Sequence, residues 1–245
     1  MRQFRKILGA LLVLSVLLCT IASCDLIGGK KPEELTATAN EILATTPYTV
    51  EMLLKYDSDD ADMLSAMSDL AATEMKLTVD GDKFVGKLAL GEEDHIIYTF
   101  VDGTLYTEWS EHGTTVQEKK EITSETKAEL LAEFGTGLTY ADFSEVEVAS
   151  AKDVSVISCK NINSDKIAEL TAPLQAQLNE VFDDVVVTVY NATLDVEIEN
   201  DAYNVIILKC EYFITVNGNT SYSVKMTYSM KYTYGKDREI MAPSF

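Results

Sequence analysis

Histidine, cysteine and basic residues are all scarce in this 245-residue chain, and each shortage excludes a class of chemistry. There are two histidines, His95 and His112, and four cysteines with no Cys-x-x-Cys spacing, so no zinc site is readable. Neither histidine has a nucleophile at a suggestive spacing. No Gly-x-Ser-x-Gly elbow and no phosphate-binding glycine loop occurs, which leaves catalysis without a motif. No metal or cofactor is expected. Lysine and arginine together number 20 against 40 acidic residues, a formal charge of −20. Such a surface repels nucleic acid and anionic membrane, so a nucleic-acid partner is not expected. Proline occurs four times, and no Pro/Ser-rich linker or internal repeat divides the chain.

One long apolar run is present, at the N-terminus. Arg2, Arg5 and Lys6 precede a nearly unbroken apolar stretch from Ile7 to Thr20, and the small residues Ala22 and Ser23 then precede Cys24. Charged start, apolar middle and small-residue cleavage site describe a secretory signal peptide, and the run is short for a membrane span of about 20 residues. Ile21-Ala22-Ser23-Cys24 makes the segment resemble a bacterial lipoprotein signal with its lipobox. The resemblance implies cleavage before Cys24 and diacylation of its thiol, which would place the protein on the extracytoplasmic face of the cell membrane. An uncleaved N-terminal anchor gives the same placement. Cys19 is a poorer lipid site because bulky Leu18 precedes it. The division expected is a signal over 1–23, a lipidated tether over 24–31 and a single domain over 32–245. Residues 1–23 carry three basic residues and no acidic one, so the remainder is three units more negative than the whole. The acyl chains, at about 0.8 kcal/mol per buried CH₂, would then have to hold it at the membrane.

Periodicity organises the rest. Pro32 suits a helix start, Leu35, Ala39, Ile42 and Leu43 share a helical face, and Pro47 closes that helix. Tyr48 to Tyr56 alternates as a strand with one buried face. Residues 58–72 fit either a short helix carrying Met63, Leu64, Met67 and Leu70 or an irregular excursion. Hairpins follow, marked by Asp80-Gly81, Asp102-Gly103 and Gly113. A helix is expected from about Ser124 to Phe134, capped by Thr123 or Ser124 and stopped by Gly135, then two short strands around Val146–Val148 and Val154–Ile157. A further helix from about Asp165 to Phe182, capped by Ser164, contains Pro173, which should kink or split it. The last third alternates through three strands of more than a dozen residues, each over roughly 40 Å long. The first is read with Val186, Tyr190, Ala192, Leu194, Val196 and Ile198 on one face; Asn217-Gly218 turns between the other two. These elements predict an α+β fold: a long, curved antiparallel β-sheet forming a half-barrel, with about three helices covering its apolar inner face.

The order of these elements, from the helix after the lipobox through Asp80-Gly81 and Asp102-Gly103 to the meander ending Tyr228-Ser-Met-Lys-Tyr-Thr-Tyr and Ile240-Met-Ala-Pro243, resembles the LolA-like/LppX-like lipoproteins, including their relatives in Gram-positive bacteria. The resemblance implies an apolar cavity under the helices, which in characterised relatives carries lipids or lipoprotein acyl chains. Of functional residues it carries over Cys24 alone.

On that reading the cavity would be lined by Met52, Tyr98, Tyr190, Tyr212 and Tyr222, with Met226, Tyr228, Met230 and Tyr232 from the last strand. Methionine adapts to irregular apolar contents and tyrosine joins an apolar body to a polar tip. The competing reading is a filled core, in a structural lipoprotein that meets a partner through its acidic surface. Cys159 and Cys210 lie in strand-like segments, which leaves open a cross-strand disulfide or two separate buried thiols. The acidic runs 57–62 and 92–94 lack the spacing of a calcium loop and read as solvated.

Overall fold

A computed structural model describes residues 30–70, 74–89, 94–111, 113–132, 134–135, 137–180, 182–218, 220–235 and 239–244. The first half contains α1 (Pro32–Thr45), β1 (Tyr48–Ser58), α2 (Ala61–Leu70), β2 (Glu74–Asp80), β3 (Lys83–Ala89), β4 (His95–Val101), β5 (Thr104–Glu111), β6 (Thr114–Glu121) and α3 (Ser124–Ala132). A 3₁₀ turn (Tyr140–Asp142) leads into β7 (Phe143–Ala151), β8 (Val154–Ile162), α4 (Ser164–Leu178), β9 (Val185–Glu199), β10 (Ala202–Val216) and β11 (Thr220–Tyr234). Among the described residues the eleven strands form one open antiparallel sheet, ordered β6-β5-β4-β3-β2-β1-β11-β10-β9-β8-β7. The last strand therefore lies at its centre beside the first, and Tyr48–Ser58 pairs along its whole length with Val224–Tyr234.

The turns follow from their residues. Asp102 and Gly103 both adopt positive φ, 51° and 82°, which a tight two-residue hairpin requires. Asn200 and Asp201 do the same between β9 and β10, at 51° and 65°.

Four helices are present among the described residues, where the sequence suggested about three. The addition is α2, which makes Ala61–Leu70 of the ambiguous stretch 58–72 helical; residues 71–72 lie outside the described residues. Its start is fixed by Asp60, whose Oδ1 accepts the Met63 backbone N–H at 2.8 Å, and it puts Met63 and Met67 into the core. Thr123 caps α3 in the same way, accepting the Thr126 N–H at 3.2 Å. The third expected helix differs twice: α4 is not split at Pro173, and it ends at Leu178 rather than Phe182. Leu170, Leu174 and Leu178 are buried on either side of the proline, and at about 1.5–3 kcal/mol each they outweigh its cost of about 3 kcal/mol. Around the end of α4 two side chains reach the sheet: Gln175 Oε1, in the last turn, and Asn179 Oδ1, just after it, accept the Val187 and Val185 backbone N–H groups of β9. They satisfy donors on the stretch of that strand that has no neighbour in β8, whose pairing begins at Thr193.

The two sheet edges, β6 and β7, are consecutive along the chain. Their connection runs back over the buried face. Phe134 sits against Gly86 of β3, and Leu138 joins the same core, with Tyr140 packed on it. β6 is exposed nearly throughout and carries Glu118, Lys119, Lys120 and Glu121, a composition that discourages further strand pairing.

Candidate functional site

The face of β1, β11 and β10 that joins the core carries three lateral rows. Met52 stands opposite Met230, which stands opposite Ile206; Leu54 opposite Tyr228, opposite Leu208; Tyr56 opposite Met226, opposite Cys210. Tyr212 and Tyr222 extend the face, Tyr222 opposite Ile214. Strict alternation over long strands brings these side chains to one side. Met52, Tyr212, Tyr228 and Met230 are buried, whereas Leu54, Tyr56, Tyr222 and Met226 are only half-buried although they point to the same side. An incompletely covered apolar stripe thus runs along β1 and β11 beside a fully covered one.

Its polar atoms are kept neutral. The Tyr212 hydroxyl donates to the Met226 sulfur at 3.7 Å. Burial pushes the Tyr56 phenol up to about 12, and the nearby Cys210 adds to that. Burial also raises Cys210 to about 12, with the hydrogen bond to Tyr212 pulling the other way. Tyr212 and Tyr228 are raised by burial too. A face of neutral phenols, thioethers and thiol accommodates apolar contents and offers no charged acid, base or thiolate at neutral pH.

At the end where β1 starts and β11 stops, Tyr232 packs against Tyr48, Tyr203 and Tyr234, with ring centroids 6.2, 5.7 and 6.4 Å away. The Tyr203 hydroxyl donates to Asn40 Oδ1 of α1 at 3.0 Å, tying the helix to this cluster. Burial raises Tyr203 to about 12, with Tyr140 adding to it. Sequence reading passed over Tyr203. A register shift between Tyr203 and Val205 sets both Tyr203 and Ile206 on the core side, and the Asn200-Asp201 turn before it was the available signal.

Two expected lining residues stand elsewhere. Tyr98 is buried, but on β4, four strands and about 19 Å from β11, opposite Gly86. Tyr190 is on the opposite face of the sheet. Tyr212 pairs with Val189 while Glu211 pairs with Asn191, so Tyr190 is the extra residue of a β-bulge. Before the bulge Val185, Val187 and Val189 face the core; after it Ala192, Leu194, Val196 and Ile198 do. Val186, expected inside with Tyr190, is exposed for the same reason. The odd spacing from Val189 to Ala192 was the signal in the sequence.

The disulfide is also absent: Cys159 and Cys210 are free and buried. Cys159 lies opposite Leu194 and Cys210 opposite Ala192, so β9 runs between them. Two ladder spacings, about 9.5 Å, exceed the roughly 7 Å that a disulfide spans. Burial, with the Asp195 carboxylate adding to it, raises Cys159 to about 12. In the acidic run 57–62, Asp60 is a helix cap. No set of three potential metal ligands converges among the described residues. Cys24, the signal and the tether up to residue 29 lie outside the described residues; among those described, no helix is long and apolar enough to cross a membrane.

No family model matches the chain, and no curated protein is significantly similar to it.

Proposed function

We propose that this protein is a membrane-anchored extracytoplasmic lipoprotein, held by lipid on Cys24, that binds a lipid or other amphiphile against the apolar face of β1, β11 and β10. In this reading the sheet curves as a half-barrel and the helices cover its inner face, in the manner of the LolA-like/LppX-like lipoproteins. The observation that carries it is the half-buried stripe of Leu54, Tyr56, Tyr222 and Met226 beside fully buried neighbours, an apolar surface that an acyl chain would complete. Each further CH₂ so covered would contribute about 0.8 kcal/mol.

Other features are consistent with it. α1 contacts β10, α2 contacts β1 and α4 contacts β9, and each contributes buried residues to the sheet core. The Lys30 ammonium meets Asp201 in the β9–β10 turn at 2.7 Å. The six residues from there back to Cys24 reach at most about 20 Å, which would hold that end of the sheet, with its tyrosine cluster, close to the bilayer.

Uptake of a fluorescent C16 fatty acid by the full chain tests the binding. Met226→Trp, which fills the half-open stripe, should reduce uptake roughly tenfold or more while the melting temperature stays near that of the parent. Absence of uptake by the parent chain would favour a filled core and a protein partner on the acidic surface.

A further inference from the structure

The outer face of β9, β10 and β11 carries a feature that amphiphile binding does not use. Tyr190 is 50% exposed and Phe213 47%, and their rings lie 4.8 Å apart between centroids with planes 35° apart. Val186, 52% exposed, lies diagonally beside Phe213. The register defines what surrounds them. Thr188, Phe213 and Ser223 form one row; Val186, Thr215 and Ser221 the next; and Asn191, Glu211 and Lys225, with Tyr190 in the bulge, the third. Glu211 and Ser223 lie beside the Tyr190 hydroxyl, and the Glu211 carboxylate raises its pKa.

The fold does not need this tyrosine. Removing Tyr190 would leave Val185 to Ile198 in unbroken in-and-out alternation, with Asn191 outward and Ala192 inward. A bulge re-aims a side chain, and here it places a ring against Phe213 on the solvent side. The surroundings are hydroxyls, one amide and a single charged row in which Lys225 stands between Glu211 and, on β1, Asp57, so this corner is sparsely charged in a chain of net charge −20. It therefore complements a neutral, hydroxyl-rich ligand better than a charged one. Size points the same way. Three half-exposed side chains present about 250 Å² of apolar surface, against the roughly 450 Å² that is apolar in the roughly 800 Å² each partner of a stable protein interface buries.

We propose that this corner is a glycan-binding platform, on which sugar rings stack against Tyr190 and Phe213 while Thr188, Glu211, Thr215 and Ser223 bond their hydroxyls. Aromatic rings supply rigid contact area at low entropic cost, and the hydroxyl side chains supply orientation.

Titration calorimetry of the full chain with cellohexaose and with chitohexaose tests it. At least one should bind. Tyr190→Ala and Phe213→Ala should each weaken binding roughly tenfold or more, Phe213→Tyr should retain it, and all three should melt like the parent because the side chains are exposed. Met226→Trp on the other face should leave glycan binding unchanged, which separates this platform from the amphiphile site. Failure of both hexaoses to bind at millimolar concentration would overturn the proposal, as would binding that survives Tyr190→Ala. A dimer in sedimentation that Tyr190→Ala dissolves would also overturn it, in favour of contact between copies.

Discussion

At Gly86 a Cβ would stand 2.5 Å from Cζ of Phe134, whose ring is itself buried. Gly86→Ala should therefore lower stability by about 1–3 kcal/mol in urea unfolding, the usual cost of overpacking, and an unchanged midpoint would show that Phe134 yields. The buried thiols and phenols make a second prediction. Burial raises Cys159 and Cys210 from 9.0 to about 12, and Tyr56 and Tyr203 from 10.0 to about 12. Above about pH 9 the unfolded chain releases these protons while the folded chain keeps them, so folding stability is full below that point and falls as pH rises toward 12. Urea midpoints at pH 8, 10 and 11 should decline in that order. Because Cys159 and Cys210 are unpaired, reductant should leave the melting temperature unchanged. The sequence left that pairing open because only strand order, with β9 between the two cysteines, decides it.

Helix and strand identities were legible wherever the periodicity was strict. β1 and β11 were read nearly to their ends, because Tyr, Val, Met and Thr alternate there without interruption, while β10 was read only from Ile206, past the register shift that follows Tyr203. The misreading came where one residue interrupts the period. Val185-Val186-Val187 is apolar in both registers, so the bulge at Tyr190 left the inward set ambiguous, and Val186 and Tyr190 were placed on the wrong face. α2 was ambiguous because a ten-residue amphipathic segment gains its stability from packing Met63 and Met67 rather than from its own propensity. Its cap is a clean test. Asp60→Ala removes the acceptor for the Met63 N–H and should cost about 1 kcal/mol by chemical denaturation, with the loss centred on α2 in hydrogen exchange.

For the whole molecule, the antiparallel sheet with attendant helices was legible, because long alternating strands admit few other solutions. The candidate site was legible in part. Met52, Tyr212, Tyr222, Met226, Tyr228, Met230 and Tyr232 do share the core side of β1, β10 and β11, while Tyr98 lies apart and Tyr190 lies outside. How far the stripe of Leu54, Tyr56, Tyr222 and Met226 is covered depends on tertiary contacts that no strand pattern encodes. Anchoring has its own test: Cys24→Ala should move the protein from the membrane to the soluble fraction, and retention at the membrane would contradict lipidation as its anchor. The most direct measurement of the central claim is native mass spectrometry of the protein purified from a bacterial host, followed by organic extraction. Amphiphile binding predicts adducts of lipid mass that extraction releases and that Met226→Trp removes. A single apo mass that stays unchanged after adding phospholipid or fatty acid would contradict it.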